Sequence, residues 1–130
     1  MATTQLPVFR KMYDLNLMLI RLVNNFPKQY KYNVGDELIK TSLRLFKHLF
    51  AANREYDNKI NRVEHLDNFL DDYDLLKVLI RLANEERMFS IKDAANLALL
   101  TENITKQING WRNKSSKEYT EDTLVSEEEK

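Results

Sequence analysis

Residues 60–83 read INRVEHLDNFLDDYDLLKVLIRLA, and their apolar side chains recur every three or four positions. This spacing places the apolar side chains on one face of an α-helix. The unbroken stripe predicts a long helix that ends near Arg87 and packs its apolar face against other helices. The stripe consists of Ile60, Val63, Leu66, Leu70, Tyr73, Leu76, Ile80 and Ala83.

Proline, asparagine and serine residues divide the rest of the chain into three more helices. Pro7 suits a first helical turn, and Pro27 ends that helix because the residue before proline avoids helical geometry. Asn33 is the predicted N-cap of the second helix, and Ser90, followed by Asp93, is the predicted N-cap of the fourth. The predicted helices therefore cover roughly residues 7–25, 34–53, 59–87 and 91–111.

Low glycine and proline contents indicate an all-α protein. Two glycines and two prolines in 130 residues leave little material for the turns of a β-protein. Helices joined by short connections pack as antiparallel neighbours, so residues 1–114 are predicted to form an up-down-up-down four-helix bundle. Residues 115–130 have almost no apolar side chains and are predicted to be a disordered acidic tail.

The net charge of zero is a sum of blocks of opposite sign. Residues 1–54 hold nine basic and three acidic side chains, and residues 90–117 hold five and two. Residues 55–89 hold five basic and nine acidic side chains, and residues 118–130 hold one and six. The zero total argues against a nucleic-acid ligand, but the basic blocks leave that function open.

Charged side chains also line single faces of two helices. The second helix carries a basic stripe, and the third carries an acidic stripe. In one interpretation the stripes form a ladder of surface ion pairs, with Arg44 level with Asp67 or Asn68. In the other, the basic stripe contacts phosphate. The basic stripe consists of Lys40, Arg44, Lys47 and Arg54, and the acidic stripe of Glu64, Asp67, Asp71 and Asp74.

Lys77, Arg81 and Arg112 are further candidate contacts. None of the three has an obvious opposite charge at the same level of the predicted bundle, so we expect their charges to be available to a partner. The predicted nucleic-acid or partner-binding set is therefore Lys40, Arg44, Lys47, Lys77, Arg81 and Arg112.

The first helix is more apolar than one core-facing stripe requires. Seven of the nine residues 15–23 are apolar. Each helix of a small bundle keeps an outer face, so the surplus predicts burial against another chain and hence a homo-oligomer. A monomer with a few exposed leucines is the alternative. The predicted interface consists of Leu15, Leu17, Met18, Leu19 and Leu22.

The sequence lacks the residue patterns of common catalytic and metal sites. It has no cysteine, no histidine that follows a glutamate by three residues, and no glycine-rich phosphate loop. We therefore expect no metal, no cofactor and no enzymatic activity. The nearest enzymatic pattern is Arg44 with His48, which is similar to the Arg/His pair of helical HEPN-class RNases but has a shorter gap.

The N-terminal residues carry no secretion signal, and the apolar run 15–23 is much shorter than the roughly 20 residues of a membrane span. We therefore expect a cytoplasmic protein that does not enter a membrane.

An ordered set of short motifs runs across the four predicted helices. The first half contains Leu6-Pro7-Val8-Phe9, Tyr13-Asp14-Leu15, Asn25-Phe26-Pro27-Lys28, Gly35-Asp36-Glu37-Leu38 and Ala51-Ala52-Asn53. The second half contains Leu76-Lys77, Ile80-Arg81-Leu82-Ala83 and Gly110-Trp111. In their order and spacing over residues 6–114, these motifs resemble the Avd proteins of diversity-generating retroelements.

The resemblance implies a non-enzymatic accessory protein. It implies a homopentameric barrel of four-helix bundles that binds the element's reverse transcriptase and its RNA or cDNA template, and that supports mutagenic reverse transcription. Lys77 and Arg81 match positions where the family commonly has arginine, and Arg112 follows the tryptophan where basic residues are usual.

The sequence departs from the family pattern in two respects. Many relatives are strongly basic and carry two glycines before the tryptophan, whereas this chain has zero net charge and Asn109-Gly110-Trp111. A sister family, encoded within intervening sequences of large ribosomal RNA genes, shares the architecture. The alternative function is therefore that of an oligomeric adaptor related to this sister family, with no nucleic-acid ligand.

Overall fold

The structure, a computed structural model, describes residues 2–128, with side-chain environments through residue 124. Four long helices account for most of these residues, and no strand occurs among them. A short 3-10 turn precedes the first helix. The predicted all-α fold with four helices is confirmed. The helices are α1 (Pro7–Asn24), α2 (Asp36–Arg54), α3 (Lys59–Glu85) and α4 (Ile91–Glu128).

The four helices pack in a closed cycle, α1 against α2, α2 against α3, α3 against α4 and α4 against α1. Contacting residues run in opposite order along α1 and α2. The Asn53 amide near the end of α2 donates to the Thr3 hydroxyl just before α1, over 2.8 Å. Nearer the middle of both helices, the Asn16 amide donates to the Ser42 hydroxyl over 2.8 Å. The same reversal of order holds between α2 and α3 and between α3 and α4.

The centre of the bundle is apolar and receives side chains from all four helices. The residues of α2 that follow helical spacing toward the core are all buried, namely Leu38, Ser42, Leu45, Leu49 and Ala52. The predicted stripe of α3 is wrong at its first residue, since Ile60 is 52% exposed, and Ile91 at the start of α4 is 93% exposed. Each of these two lies in the first turn of its helix, at an end of the bundle. The largest fully buried side chains are Met12, Leu15, Leu19, Leu38, Leu45, Leu49, Leu66, Phe69, Tyr73, Leu76, Leu97 and Ile104.

Tyr73 of α3 places a polar group inside this core. Its hydroxyl donates to the backbone carbonyl of Thr101 on α4 over 2.5 Å and accepts from the Thr105 hydroxyl over 3.3 Å. Burial raises the pKa of Tyr73 to about 12, so the hydroxyl keeps its proton and remains a donor. The hydrogen bond therefore fixes one point of contact between α3 and α4.

The connection between α1 and α2 is helical, which the sequence did not predict. An α-helical turn, Lys28–Tyr30, leads into a π-helical turn, Lys31–Gly35, and from there directly into α2. The predicted N-cap Asn33 lies inside the π-helical turn, where its amide donates to a backbone carbonyl one turn earlier. Gly35 allows this close path, because a Cβ at that position would lie 2.7 Å from Cγ1 of Val23.

The connection between α3 and α4 is closed by local hydrogen bonds. The predicted cap is confirmed, since Ser90 Oγ accepts from the Asp93 amide over 3.0 Å. Before it, Arg87 has a φ of 61°, in the left-handed region that usually favours glycine. This conformation allows the Met88 amide to donate to the Ala83 carbonyl over 2.9 Å, which ends α3 as a Schellman motif does.

Helix α4 continues to Glu128, so the prediction of disorder from residue 115 onward differs from the structure. Low apolar content indicated disorder, but the beginning of α3 lies beside this part of α4. Ser115 is 1% exposed, and Lys59 Nζ lies 3.8 Å from Glu118 Oε2. These contacts support the helix past the predicted boundary. The last two residues of the predicted tail, 129 and 130, lie outside the described residues.

The single tryptophan of the chain lies where α4 passes the first half of α3. Trp111 is partly buried against the core. The guanidinium carbon of Arg62 on α3 lies 5.8 Å from the centre of its ring, within the range of a cation–π interaction. This contact joins α3 and α4 about three turns away from Tyr73.

We predict that the Asn16–Ser42 pair is energetically coupled. Ser42→Ala leaves the buried Asn16 amide without its acceptor and lowers the free energy of unfolding by about 1–3 kcal/mol. Replacing both residues, with Asn16→Leu and Ser42→Ala, removes the polar pair together and costs less than the sum of the single losses. Urea unfolding at one fixed protein concentration measures the cycle, and additive losses would contradict the coupling.

Candidate nucleic-acid and partner interfaces

The outer side of α2 carries three exposed cations, Lys40, Lys47 and Arg54, which we call the α2 basic face. None of them makes an ion pair with another residue of the described chain. The ion-pair interpretation of the basic stripe therefore does not hold for Lys40 or Lys47. Their charges remain available to a ligand.

Arg44, the fourth residue of the basic stripe, is bound within the chain. Arg44 Nε donates to Asp72 Oδ2 over 3.1 Å, and His48 Nε2 lies 2.6 Å from the same oxygen. Burial raises the pKa of Asp72, but the hydrogen bonds and charges of His48 and Arg44 outweigh burial, and the net pKa is lowered. The predicted register was off by more than one turn, since it placed Arg44 beside Asp67 or Asn68. The Arg44–His48 pair is thus occupied in joining α2 to α3.

Lys77 and Arg81 lie on the exposed surface of α3, beside α4. Each has an acidic partner one turn away on its own helix, which corrects the prediction that they lack opposite charges. Lys77 Nζ lies 3.4 Å from Asp74, and Arg81 Nε lies 3.2 Å from Glu85. Exposed pairs of this kind contribute about 0–1 kcal/mol, so a phosphate can replace the carboxylate at little cost.

Arg112 differs from the other candidates because it is firmly paired. Its guanidinium binds both carboxylate oxygens of Asp67 on α3, with Nη2 at 3.2 Å from Oδ2. The hydrogen bond to Asp67 raises the pKa of Arg112. The prediction that Arg112 has no partner is wrong, because the α3–α4 register brings Asp67 opposite it. The bidentate pair makes Arg112 the weakest of the predicted contacts.

The part of the chain that carries these groups matches a known family. A family model described as bAvd-like matches residues 7–115, which include α1, α2, α3 and most of the packed part of α4. The chain belongs to the bAvd-like family. This confirms the resemblance to Avd proteins that the ordered motifs indicated. No curated protein matches the chain in sequence.

The predicted oligomer interface of this bAvd-like protein is wrong in part. Leu15 and Leu19 are fully buried in the core of their own bundle, so they are not free to contact another chain. The apolar count could not separate these two inward positions from the outer ones. Leu17, Met18 and Leu22 are partly buried and line a shallow groove between α1 and α4.

An aromatic surface between α1 and α2 was not singled out from the sequence. The Phe9 ring centre lies 5.5 Å from that of Phe46, 6.2 Å from that of Phe50 and 6.4 Å from that of Tyr13. Tyr13 and Phe50 are 49% and 39% exposed, and Leu43 extends the surface toward the α2 basic face. The sequence signal that could have located this surface is the four-residue spacing of the aromatic pair in each helix, Phe9 with Tyr13 and Phe46 with Phe50, next to core positions.

The described residues show neither a metal centre nor a membrane segment. Among the residues whose side chains the structure describes, 2–124, no three histidine, aspartate or glutamate side chains cluster closely enough to hold a metal ion. No helix in this range combines the length and the apolar content needed to cross a bilayer.

We predict that Asp72 stabilises the fold in a pH-dependent way. Its lowered pKa means that the folded state favours the carboxylate, so the stabilisation is complete above the unfolded value of about 3.9. Asp72→Asn should lower the free energy of unfolding by about 1–2 kcal/mol at neutral pH. The difference from the wild type should shrink as the pH falls through the lowered pKa of Asp72.

Asp71→Asn is the matched control, since this exposed neighbour makes no ion pair with any other described residue. Urea unfolding across a pH series measures both variants. An equal loss in the two variants, or a loss from Asp72→Asn that persists in acid, would contradict the assignment.

Proposed function

We propose that this bAvd-like protein is a non-enzymatic accessory protein of a diversity-generating retroelement. In this proposal it binds the element's reverse transcriptase and its RNA or cDNA template, and it supports mutagenic reverse transcription in the cytoplasm. Catalysis belongs to the reverse transcriptase. Membership of the family supports the retroelement assignment.

The observation that carries the nucleic-acid half of the proposal is the unpaired positive charge of the first two helices. Residues 1–54 contain nine basic side chains. Two of them, Arg10 and Arg44, make ion pairs within the described chain, with Asp14 and Asp72. The other seven form no described ion pair: Lys11, Arg21, Lys28, Lys31, Lys40, Lys47 and Arg54.

Unpaired surface cations attract the phosphate backbone without regard to base sequence. The α2 basic face presents three such cations along one helix. These side chains do not have to break an ion pair with another described residue before they bind a phosphate. The zero net charge is compatible with this function because the acidic side chains lie mainly on α3 and at the end of α4.

We predict that the protein binds RNA with a steep salt dependence. Filter binding of structured RNA over a salt series should give a log–log slope set by the number of phosphate contacts. The double variant Lys40→Ala, Lys47→Ala should lower the slope by about 1–2, because each lost contact removes roughly 0.7–0.9.

Lys106→Ala is the control, because this exposed lysine lies on α4, diagonally across the closed cycle of helices from the α2 basic face. Its slope should equal that of the wild type. Absence of RNA binding at low salt would overturn the nucleic-acid half of the proposal and favour an oligomeric adaptor. Copurification with the reverse transcriptase tests the other half, and a failure to copurify would overturn it.

We further propose that the protein assembles as a homo-oligomer, with five subunits as the family resemblance implies. Two apolar surfaces of unlike charge support assembly. The first is the aromatic surface beside the α2 basic face, and the second is the exposed side of α3, where Leu75, Val78 and Leu82 follow Asp71 and Asp74. Two different, complementary surfaces suit head-to-tail contacts, and such contacts form a ring when the rotation between successive subunits closes.

Light scattering tests this assembly. The expected mass of the wild type is five times the 15.5 kDa of the chain. Val78→Asp introduces a charge into the apolar part of α3 and should reduce the measured mass. Ile91→Asp, at a residue that is 93% exposed, is the control and should leave the mass unchanged. A wild-type mass of one chain would contradict assembly.

A further inference from the structure

An open groove of about 310 Å³ lies between the second half of α3 and the first half of α4. Its size is at the lower end of the range of small-ligand pockets, which is roughly 300–1,000 Å³. Its inner walls are apolar and come from Ile80, Phe89, Ala94 and Ala98. The two alanines leave space that larger side chains on α4 would fill.

The closed end of the groove is held in place before any ligand binds. Phe89 is 7% exposed, and its ring centre lies 5.8 Å from that of Phe26. The neighbouring Glu86 accepts a hydrogen bond from the Tyr30 hydroxyl over 3.1 Å. Together with the Schellman-type end of α3, these contacts fix the turn that forms the wall. Because this wall is already ordered, the protein loses little conformational entropy when a ligand binds.

The rim of the groove carries two cations, each held only in an exposed ion pair that a phosphate can replace, and one free amide. Lys77, Arg81 and Asn84 follow one another at four and three residues, so they lie along one edge. The side chains of Lys77 and Arg81 are 43% and 81% exposed. The Asn84 side-chain amide makes no hydrogen bond with any other described residue.

We propose that this groove holds the base of one unpaired RNA nucleotide. The base lies against Ile80 and Phe89, the flanking phosphates contact Lys77 and Arg81, and the Asn84 amide bonds the edge of the base. An amide supplies a donor and an acceptor side by side, which suits the edge of a base. A paired base does not reach the walls, because its edge and faces are held in the duplex.

This inference rests on the proposed function, because it locates a contact within the RNA that the protein is proposed to bind. It adds a preference for single strands, which the α2 basic face alone does not require. An acidic peptide would also contact the two cations, but its carboxylates would not cover the apolar walls between them.

The test compares the fluorescence anisotropy of a short labelled RNA as a single strand and as a duplex. Ala98→Leu fills the groove and leaves every charge in place. Ala95→Leu is the matched control, because Ala95 is an exposed alanine on the same helix that does not line the groove. Thermal unfolding establishes that both variants are folded.

Ala98→Leu should weaken binding of the single strand about tenfold and leave duplex binding unchanged, while Ala95→Leu changes neither. Equal affinity of Ala98→Leu and wild type for the single strand would overturn the groove assignment and leave the proposed function standing. Absence of RNA binding by the wild type would overturn the proposed function, and the groove assignment with it.

A second measurement locates the contact directly. RNA that carries 4-thiouridine should crosslink, under ultraviolet light, to peptides from residues 77–101. Crosslinks confined to α2 would overturn the groove assignment, and they would still support RNA binding by the protein.

Discussion

Two adjacent residues of α3, Asp72 and Tyr73, hold this helix to both of its neighbours. Tyr73 points into the core and bonds the Thr101 carbonyl of α4, while Asp72 binds Arg44 and His48 of α2. Because one rigid helix carries both residues, the positions of α2 and α4 along α3 are set together. Burying a tyrosine hydroxyl and a carboxylate costs free energy unless both are bonded, and a shift of either helix would remove those bonds.

This register decides which charges of the molecule remain free. With Asp72 beside Arg44, Asp67 meets Arg112, and both arginines are satisfied within the chain. Lys40 and Lys47 lie about one turn to either side of Arg44 on the same face of α2, and they receive no acidic partner among the described residues. A protein with zero net charge therefore presents a surface with separate basic and acidic regions. Its ligand preference follows from this separation, which the total charge does not reveal.

The sequence predicted well those features that depend on a few neighbouring residues. The spacing of apolar side chains located the helices, and Ser90 with Asp93 located the start of α4, because both signals act within a turn or two. The cap predicted at Asn33 was wrong because the chain runs helically through residues 28–35, on a path that the close approach of Gly35 to Val23 allows. Local signals cannot report that tertiary contact.

Features that depend on two segments were predicted less well. Which residues of α3 lie opposite Arg44 and Arg112 depends on how far the neighbouring helices are shifted along their axes. The spacing of residues within one helix does not contain that shift. Leu15 and Leu19 were grouped with outer leucines because an apolar run shows no inward direction by itself. The candidate groove escaped notice for a similar reason, since Ala94 and Ala98 of α4 form a space only opposite Ile80 of α3.

The position of Trp111 gives the molecule a built-in optical reporter. It is the single indole of the chain, and the Arg62 guanidinium of α3 lies against its ring. Indole emission depends on its local surroundings, so separation of α4 from the first half of α3 changes the signal at one site. Fluorescence excited where tryptophan absorbs and tyrosine does not therefore reports on the surroundings of Trp111, and circular dichroism follows all four helices. Comparing the two signals during unfolding distinguishes a cooperative bundle from one in which the end of α4 detaches first.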